Sequence, residues 1–267
     1  MSETFTYNSV DLTVTPYFVT LMSVEKAFLG TPRVSKRSKG SEGGTVTMGG
    51  AQDELTISTV FSVEAAGRPA VLSALDSLHF LVDTKTRRSL LIGRWPDRYY
   101  MVRPEGDLAE ELGGGDGDSF EILSIDWLAP DPSPYSTTEQ DYPQVALVSS
   151  PQDIMVAASY VENATADTKP AFVLQASAAL PAGFTLANVT LGTSLTFVDP
   201  VANGHYVRID SDAATVETSP DSSTWNYSTA FRSETFPVLS PRVANTLRVT
   251  GCASGTLDFS FRERFKA

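Results

Sequence analysis

Few side chains in this 267-residue chain have the types and spacing that chemistry needs. Its two histidines, His79 and His205, lie far apart, and neither begins an H-E-x-x-H run that would set two imidazoles on one metal. Carboxylates are plentiful, with 32 Asp plus Glu, yet no spacing places two of them across a cleft as glycoside hydrolysis requires. There is no G-x-S-x-G elbow, no Walker loop and no dinucleotide fingerprint. The run Gly113 to Asp118 offers oxygen ligands but lacks the spaced series and terminal glutamate of a calcium loop, and reads as a flexible turn. Cys252 is the one cysteine, so no internal disulfide forms, and it is expected as a buried thiol. These residues predict no enzyme, no metal site and no cofactor.

Two sets of side chains remain that could bind something. Arg33, Lys36, Arg37 and Lys39 cluster in a polar arm at about residues 30–50 that has glycines at its tip. They read either as a solvated loop or as a contact arm that docks on an acidic neighbour. Trp225 and Tyr227, in the run Ser223 to Tyr227, are aromatic residues in a loop and could stack on pyranose faces; the alternative is that they cap a core or pack in an interface.

Composition narrows the partners. With 20 Lys plus Arg the net charge is −12, which disfavours a phosphate-binding surface and therefore sequence-specific nucleic-acid binding. No run approaches the roughly 18 apolar residues of a membrane helix, so no membrane insertion is expected. Residues 1–7 have neither a basic start nor an apolar stretch, which predicts assembly in the cytoplasm. The N-x-S/T triplets at Asn163, Asn188 and Asn226 then read as chance matches.

The elements that position these residues are mainly strands. In residues 67–108, Val71, Leu72, Leu75, Leu78, Leu81 and Val82 recur at helical spacing behind Pro69, a first-turn proline. The helix leads directly into a hairpin of Ser89 to Ile92 and Tyr99 to Val102, turning through Gly93 to Asp97. Trp95, Arg98, Tyr99 and Tyr100 there read as packing and turn residues. Upstream lie strands at Asp11 to Thr15, Phe18 to Val24 and Leu55 to Val63; downstream, Ser119 to Leu128 closes a first domain.

Clustered prolines in residues 129–138 mark the boundary, giving domains at 1–135 and 136–267. The second half shows short strands at Val145 to Val148, Ile154 to Val161, Ala171 to Ala176, Thr185 to Thr190, Ser194 to Val198, His205 to Ile209, Thr215 to Thr218, Thr246 to Val249 and Thr256 to Phe265. Such punctuation predicts a β-sandwich. Its last strand sets Leu257, Phe259 and Phe261 on one face.

Laid end to end, these parts resemble the distal tail proteins of siphoviruses, the long-tailed phages. Tyr7-Asn8-Ser9-Val10-Asp11-Leu12 is similar to the family's opening aromatic-Asn-Gly strand, with Ser9 at the usual glycine. Trp95 to Tyr100 matches its acidic-turn, Arg-Tyr-Tyr hairpin, and Phe120 to Pro132 its strand ending in Asp-Pro. Gly204 to Asp210 resembles its Gly-x-x-x-x-Ile-Asp strand. Phe236 to Gly251 resembles its Pro-x-Leu-x-Pro-Gly-x-Asn-x-Ile-x-Val-x-Gly run, with Val243 and Ala244 where glycine is common, and Leu257 to Phe265 its closing aromatic strand.

The resemblance implies a mainly β, β-rich α+β subunit: an N-terminal belt domain of sheet plus one helix, and a C-terminal galectin-like β-sandwich. It implies a ring of six copies, or of three, at the tail tip of the virion. That ring joins the tail tube protein to the tail-associated hub or lysin and receptor-binding proteins, and passes DNA and the tape-measure protein through its centre. DNA is then cargo, and an acidic lumen would repel it. The basic arm would set subunit register in that ring. The alternative is a carbohydrate-binding module that aids host adsorption.

Overall fold

The computed structural model describes residues 4–26, 35–39, 44–48, 54–83, 86–111 and 120–266. The chain divides into two compact units, Met1–Thr137 with Lys266–Ala267, and Thr138–Phe265. Strands dominate both, as the β-rich reading anticipates.

In the first unit the described strands are β1 (Phe5–Tyr7), β2 (Val10–Asp11), β3 (Val19–Lys26), β4 (Ser35–Lys39), β5 (Gly44–Met48) and β6 (Leu55–Glu64). Helix α1 (Arg68–Val82) follows, then β7 (Arg88–Ile92), β8 (Arg98–Glu111), β9 (Phe120–Ala129) and the start of β10 (Tyr135–Leu147). Sheet order runs β10-β8-β7-β1-β2, and β9 joins β8 to β6, which pairs with β3; β4 pairs with β5 in a two-stranded sheet. Strand β6 alternates as expected, with Leu55, Ile57, Thr59 and Phe61 buried. Its Thr59 hydroxyl accepts the Trp127 indole N–H at 2.8 Å and donates to the Ile125 carbonyl at 3.3 Å, so a buried polar group is satisfied. Trp127 also meets Tyr7 at 4.8 Å and Phe5 edge-on at 6.3 Å, which makes it the centre of this core.

Helix α1 begins at Arg68 with Pro69 in its first turn and packs on β6 and β9 through Val71, Ala74, Leu75, Leu78 and Val82. Two residues of the expected apolar stripe behave differently. Leu72 is exposed and Leu81 half-buried, because Ala74 takes the place against the sheet and rotates the buried face away from Leu72. The expected hairpin forms, with Leu90 opposite Tyr100 and Leu91 opposite Tyr99. Tyr99 stacks on Tyr135 at 5.5 Å, and burial pushes the Tyr100 hydroxyl pKa up to about 12.

The expected strand Asp11 to Thr15 is instead the end of a tight hairpin. Tyr7 pairs with Val10 across a two-residue turn in which Asn8 (φ 52) and Ser9 (φ 63) are both left-handed. Such turns favour Asn-Gly, so Ser9 holds a position that suits glycine better. Ser9→Gly is therefore expected to stabilise the first unit by about 0.5 to 1 kcal/mol, the relief of left-handed strain less the extra freedom of an unfolded glycine. A rise in the denaturant midpoint at unchanged slope is the readout.

The second unit is a two-layer sandwich. Beyond β10 it holds β11 (Gln152–Val156), a 3-10 turn (Ala158–Val161), β12 (Ala171–Ala176), β13 (Phe184–Asn188), β14 (Thr193–Phe197), β15 (Tyr206–Asp210) and β16 (Thr215–Ser219). The last are β17 (Asn226–Tyr227), β18 (Phe231–Thr235), β19 (Asn245–Thr250) and β20 (Gly255–Arg264). One layer is ordered β17-β16-β15-β12-β20-β10, the other β11-β19-β13-β14-β18. Phe172, Val207 and Phe259 of the first layer share a core with Leu186, Phe197 and Leu247 of the second.

Three local expectations change in this unit. The run Ile154 to Val161 breaks after Val156 into the 3-10 turn. The strand expected from Val145 is the tail of β10, which starts at Tyr135 as soon as Pro130, Pro132 and Pro134 are past. The left-handed residue in the Pro237 to Asn245 segment is Arg242 (φ 61), directly after Pro241, where turns favour glycine; Val243 and Ala244 are not the strained positions. Asn245 closes that loop by donating to the Ser240 and Val243 carbonyls, and Asn188, also fully buried, donates to Val238 and Asn245.

Candidate functional site

The basic arm folds, where described, as the hairpin β4–β5. Lys36 pairs with Thr47, Arg37 with Val46 and Lys39 with Gly44, and Arg33 lies outside the described residues. The structure thus puts three of the four predicted interface residues on one strand of a separate two-stranded sheet. The run Gly113 to Asp118 also lies outside the described residues.

Trp225 and Tyr227 sit at the β17 end of the sandwich, and they differ. Register aligns Arg208 with Glu217 and Glu217 with Tyr227 across β15, β16 and β17. The Arg208 guanidinium lies 4.5 Å from the Trp225 ring centre while its Nε–H donates to Glu217 at 2.6 Å. One residue thus ties both neighbours to the sheet. The loop that delivers Trp225 is fixed by Asp221, whose carboxylate accepts the Ser223 and Thr224 N–H groups at 2.9 and 3.1 Å. Those bonds, with one from the Ser219 hydroxyl, hold its pKa well below the carboxylate range. Tyr227 has no such cover and is 80 % exposed. Of the two aromatic residues, Trp225 is engaged in packing and Tyr227 presents an open ring. Arg208 and Glu217 escaped sequence reasoning, although an outward Arg and an outward Glu on consecutive short strands is the pattern of a cross-strand pair.

Among the described residues nothing else gathers into a reactive site. His79 is exposed in the last turn of α1, and His205 is exposed in the other unit. His205 borders a recess of about 170 Å³ with Asp199, Tyr206, Thr218 and Ser228. Pockets that enclose small molecules run from roughly 300 to 1,000 Å³, so this one is undersized. Cys252 is buried, and that burial raises its thiol pKa, away from the thiolate a nucleophile needs. Among the described residues no three of His, Cys, Asp and Glu converge on a point that could hold a metal, and no helix is long and apolar enough to cross a membrane.

What sequence reading missed most clearly is on α1. Phe80 is 89 % exposed and Leu72 45 %, two large apolar side chains facing away from the core. An apolar residue off the buried stripe of an amphipathic helix was the available signal.

No family model matches the chain, and no curated protein does. Solved structures do. The SPP1 Dit (gp 19.1) protein, described as a paradigm of the hub adsorption apparatus in phages infecting Gram-positive bacteria, is similar with TM-score 0.65 and 19% identity. That likeness covers 99% of this chain and 100% of that one. A chain of the phage P2 baseplate in its activated conformation with Ca is similar with TM-score 0.52 and 10% identity, over 97% and 98% of the two chains. The corresponding Sr structure gives 0.50 and 9%, over 97% of each. The chain therefore has the mainly β fold of a siphophage distal tail protein from end to end, the family its sequence features resemble.

Proposed function

We propose that this chain is the structural subunit of a phage distal tail hub. The observation that carries the reading is the likeness to a tail hub protein over 99% of this chain, spanning both compact units. Its N-terminal part, residues 1–135, forms a ring of six subunits, or of three. Its C-terminal part, residues 136–267, is a galectin-like sandwich that faces outward and attaches receptor-binding or tail-associated proteins. The ring joins the tail tube above to those proteins below, and DNA and the tape-measure protein pass through its centre. The role is structural and not enzymatic, and the protein is a component of the virion, assembled in the host cytoplasm.

Electrostatics supports such a role. A net charge of −12 repels phosphate, so carboxylates lining a lumen would keep DNA from sticking as it passes. Arg33, Lys36, Arg37 and Lys39 invert that sign locally and fit a heterologous contact with an acidic neighbour. An exposed ion pair is worth only about 0 to 1 kcal/mol, so these charges set register while apolar burial and repetition around the ring supply the stability. Electron-microscope images of the purified chain test the proposal: annular particles with an open centre are expected, and solid or single-subunit particles at all concentrations would oppose it.

A second reading, a carbohydrate-binding module for host adsorption, draws on the open ring of Tyr227 on the strand next to the Arg208–Glu217 pair, and on Trp225, which lies over Arg208. It leaves the first unit without a purpose. A glycan array with no response above background would remove it.

A further inference from the structure

We propose that the outward stripe of α1 is the surface that receives the basic hairpin β4–β5 of a second copy of this chain. The inference rests on the ring reading above and names the contact that closes the ring.

Leu72, Asp76, Phe80 and Asp83 are all exposed, and at 100° per residue they fall within an arc of about 80° on the helix and its C-cap. The opposite stripe of Val71, Leu75, Leu78 and Val82 is already buried against the unit's own core. The helix is therefore amphipathic inward and carries a second feature outward, two apolar side chains interleaved with two carboxylates. Among the described residues neither Asp76 nor Asp83 is in an ion pair, whereas Arg68 on the same helix is bonded to Glu121. His79 is exposed on the same helix between Asp76 and Asp83. A phenyl ring that is 89 % exposed, flanked by unpaired acids, is the composition of an interface that is open in a single subunit.

The occupant follows from charge and pattern. The hairpin has no acidic residue in either strand, and its register runs Ser35 opposite Met48, Arg37 opposite Val46 and Lys39 opposite Gly44. Positions two apart on a strand share a face, as do positions directly opposite. By register Arg37, Lys39, Val46 and Met48 occupy positions of one face of the hairpin, and this segment is basic in sequence where the helix stripe carries two carboxylates beside Leu72 and Phe80. The chain's net charge of −12 makes a basic face rare on this protein, and a basic hairpin meeting an acidic helix on the next copy gives a heterologous contact that repeats around a ring.

A charge swap tests the pairing with the full chain. Asp76→Lys with Asp83→Lys, and separately Arg37→Glu with Lys39→Glu, are each expected to weaken ring formation at least about tenfold in the concentration required. All four changes together should restore it toward the native value. Phe80→Ser should weaken rings without lowering the melting temperature of the isolated subunit. Rings as tight in Asp76→Lys/Asp83→Lys as in the native chain, or no recovery in the fourfold variant, would overturn the pairing and leave the ring reading standing. A native chain that makes no ring overturns both. Melting curves on each variant keep a folding failure from being mistaken for an assembly failure.

Discussion

Phe259→Asp is expected to abolish the folded C-terminal sandwich. Phe259 is 2 % exposed in β20, stacks on Tyr142 at 4.5 Å and meets Phe172 at 5.3 Å and Phe261 at 6.3 Å. It joins the layer it belongs to with the strand beside it, since β20 pairs with β12 and Phe259 lies opposite Phe172. Losing a buried phenylalanine costs about 3 to 5 kcal/mol. The new carboxylate adds several kcal/mol more, either as a buried charge or through the pKa shift that neutralises it. The sum reaches the roughly 5 to 15 kcal/mol that a whole domain has in hand. Near-ultraviolet circular dichroism of the isolated second unit or of the full chain would show the loss. A soluble variant with an unchanged melting temperature would contradict the placement of β20 in the core.

Trp127→Ala should act on the first unit with comparable force. The indole is 1 % exposed, lies against Tyr7 and Phe5, and donates its N–H to Thr59. Removing it leaves a cavity between β1, β6 and β9, and truncating a buried tryptophan costs about 3 to 5 kcal/mol. The Thr59 hydroxyl keeps its bond to Ile125, so the polar loss is small and the cavity dominates. Trp127→Phe should recover much of the deficit, because the ring contacts persist without the N–H. Denaturant unfolding of the three proteins gives the comparison, and a deficit below about 1 kcal/mol for the alanine variant would contradict the assigned core.

Much of this architecture could be read from residue order. The helix, the hairpin at Leu90 to Val102 and nine of the sandwich segments follow from apolar periods that local geometry enforces, and β12 forms over the residues its alternation marks. The short strands β17 and β18 were not anticipated, since neither Asn226–Tyr227 nor Phe231–Thr235 carries enough alternation to stand apart from loop. Left-handed turns were half legible. Ser9 follows Asn8 in an Asn-x pair of the kind that forms tight hairpin turns, while nothing in the sequence separates Arg242 from Val243 and Ala244, because the path of the turn after Pro241 decides which of them is left-handed.

The candidate surfaces were legible as composition and not as geometry. Lys36, Arg37 and Lys39 stand out in any acidic chain, but the hairpin that orders them and the residues they face depend on pairing across the sheet. Trp225 reads in the sequence either as a sugar platform or as a packing residue, and the Arg208 guanidinium over its ring is a contact set by the β15–β16 register. Phe80 stands off the apolar stripe in the sequence itself, whereas Leu72 falls on it and is exposed only because of the side of α1 that meets β6 and β9, a decision made by Ala74, whose small side chain gives a weak periodic signal.

The ring is the claim on which the functional account depends, and mass in solution reads it most directly. Light scattering of the purified full chain across a concentration series should show a species at six times the 28.7 kDa subunit, or at three times, that falls apart on dilution. A single species at the subunit mass up to the highest soluble concentration would contradict it.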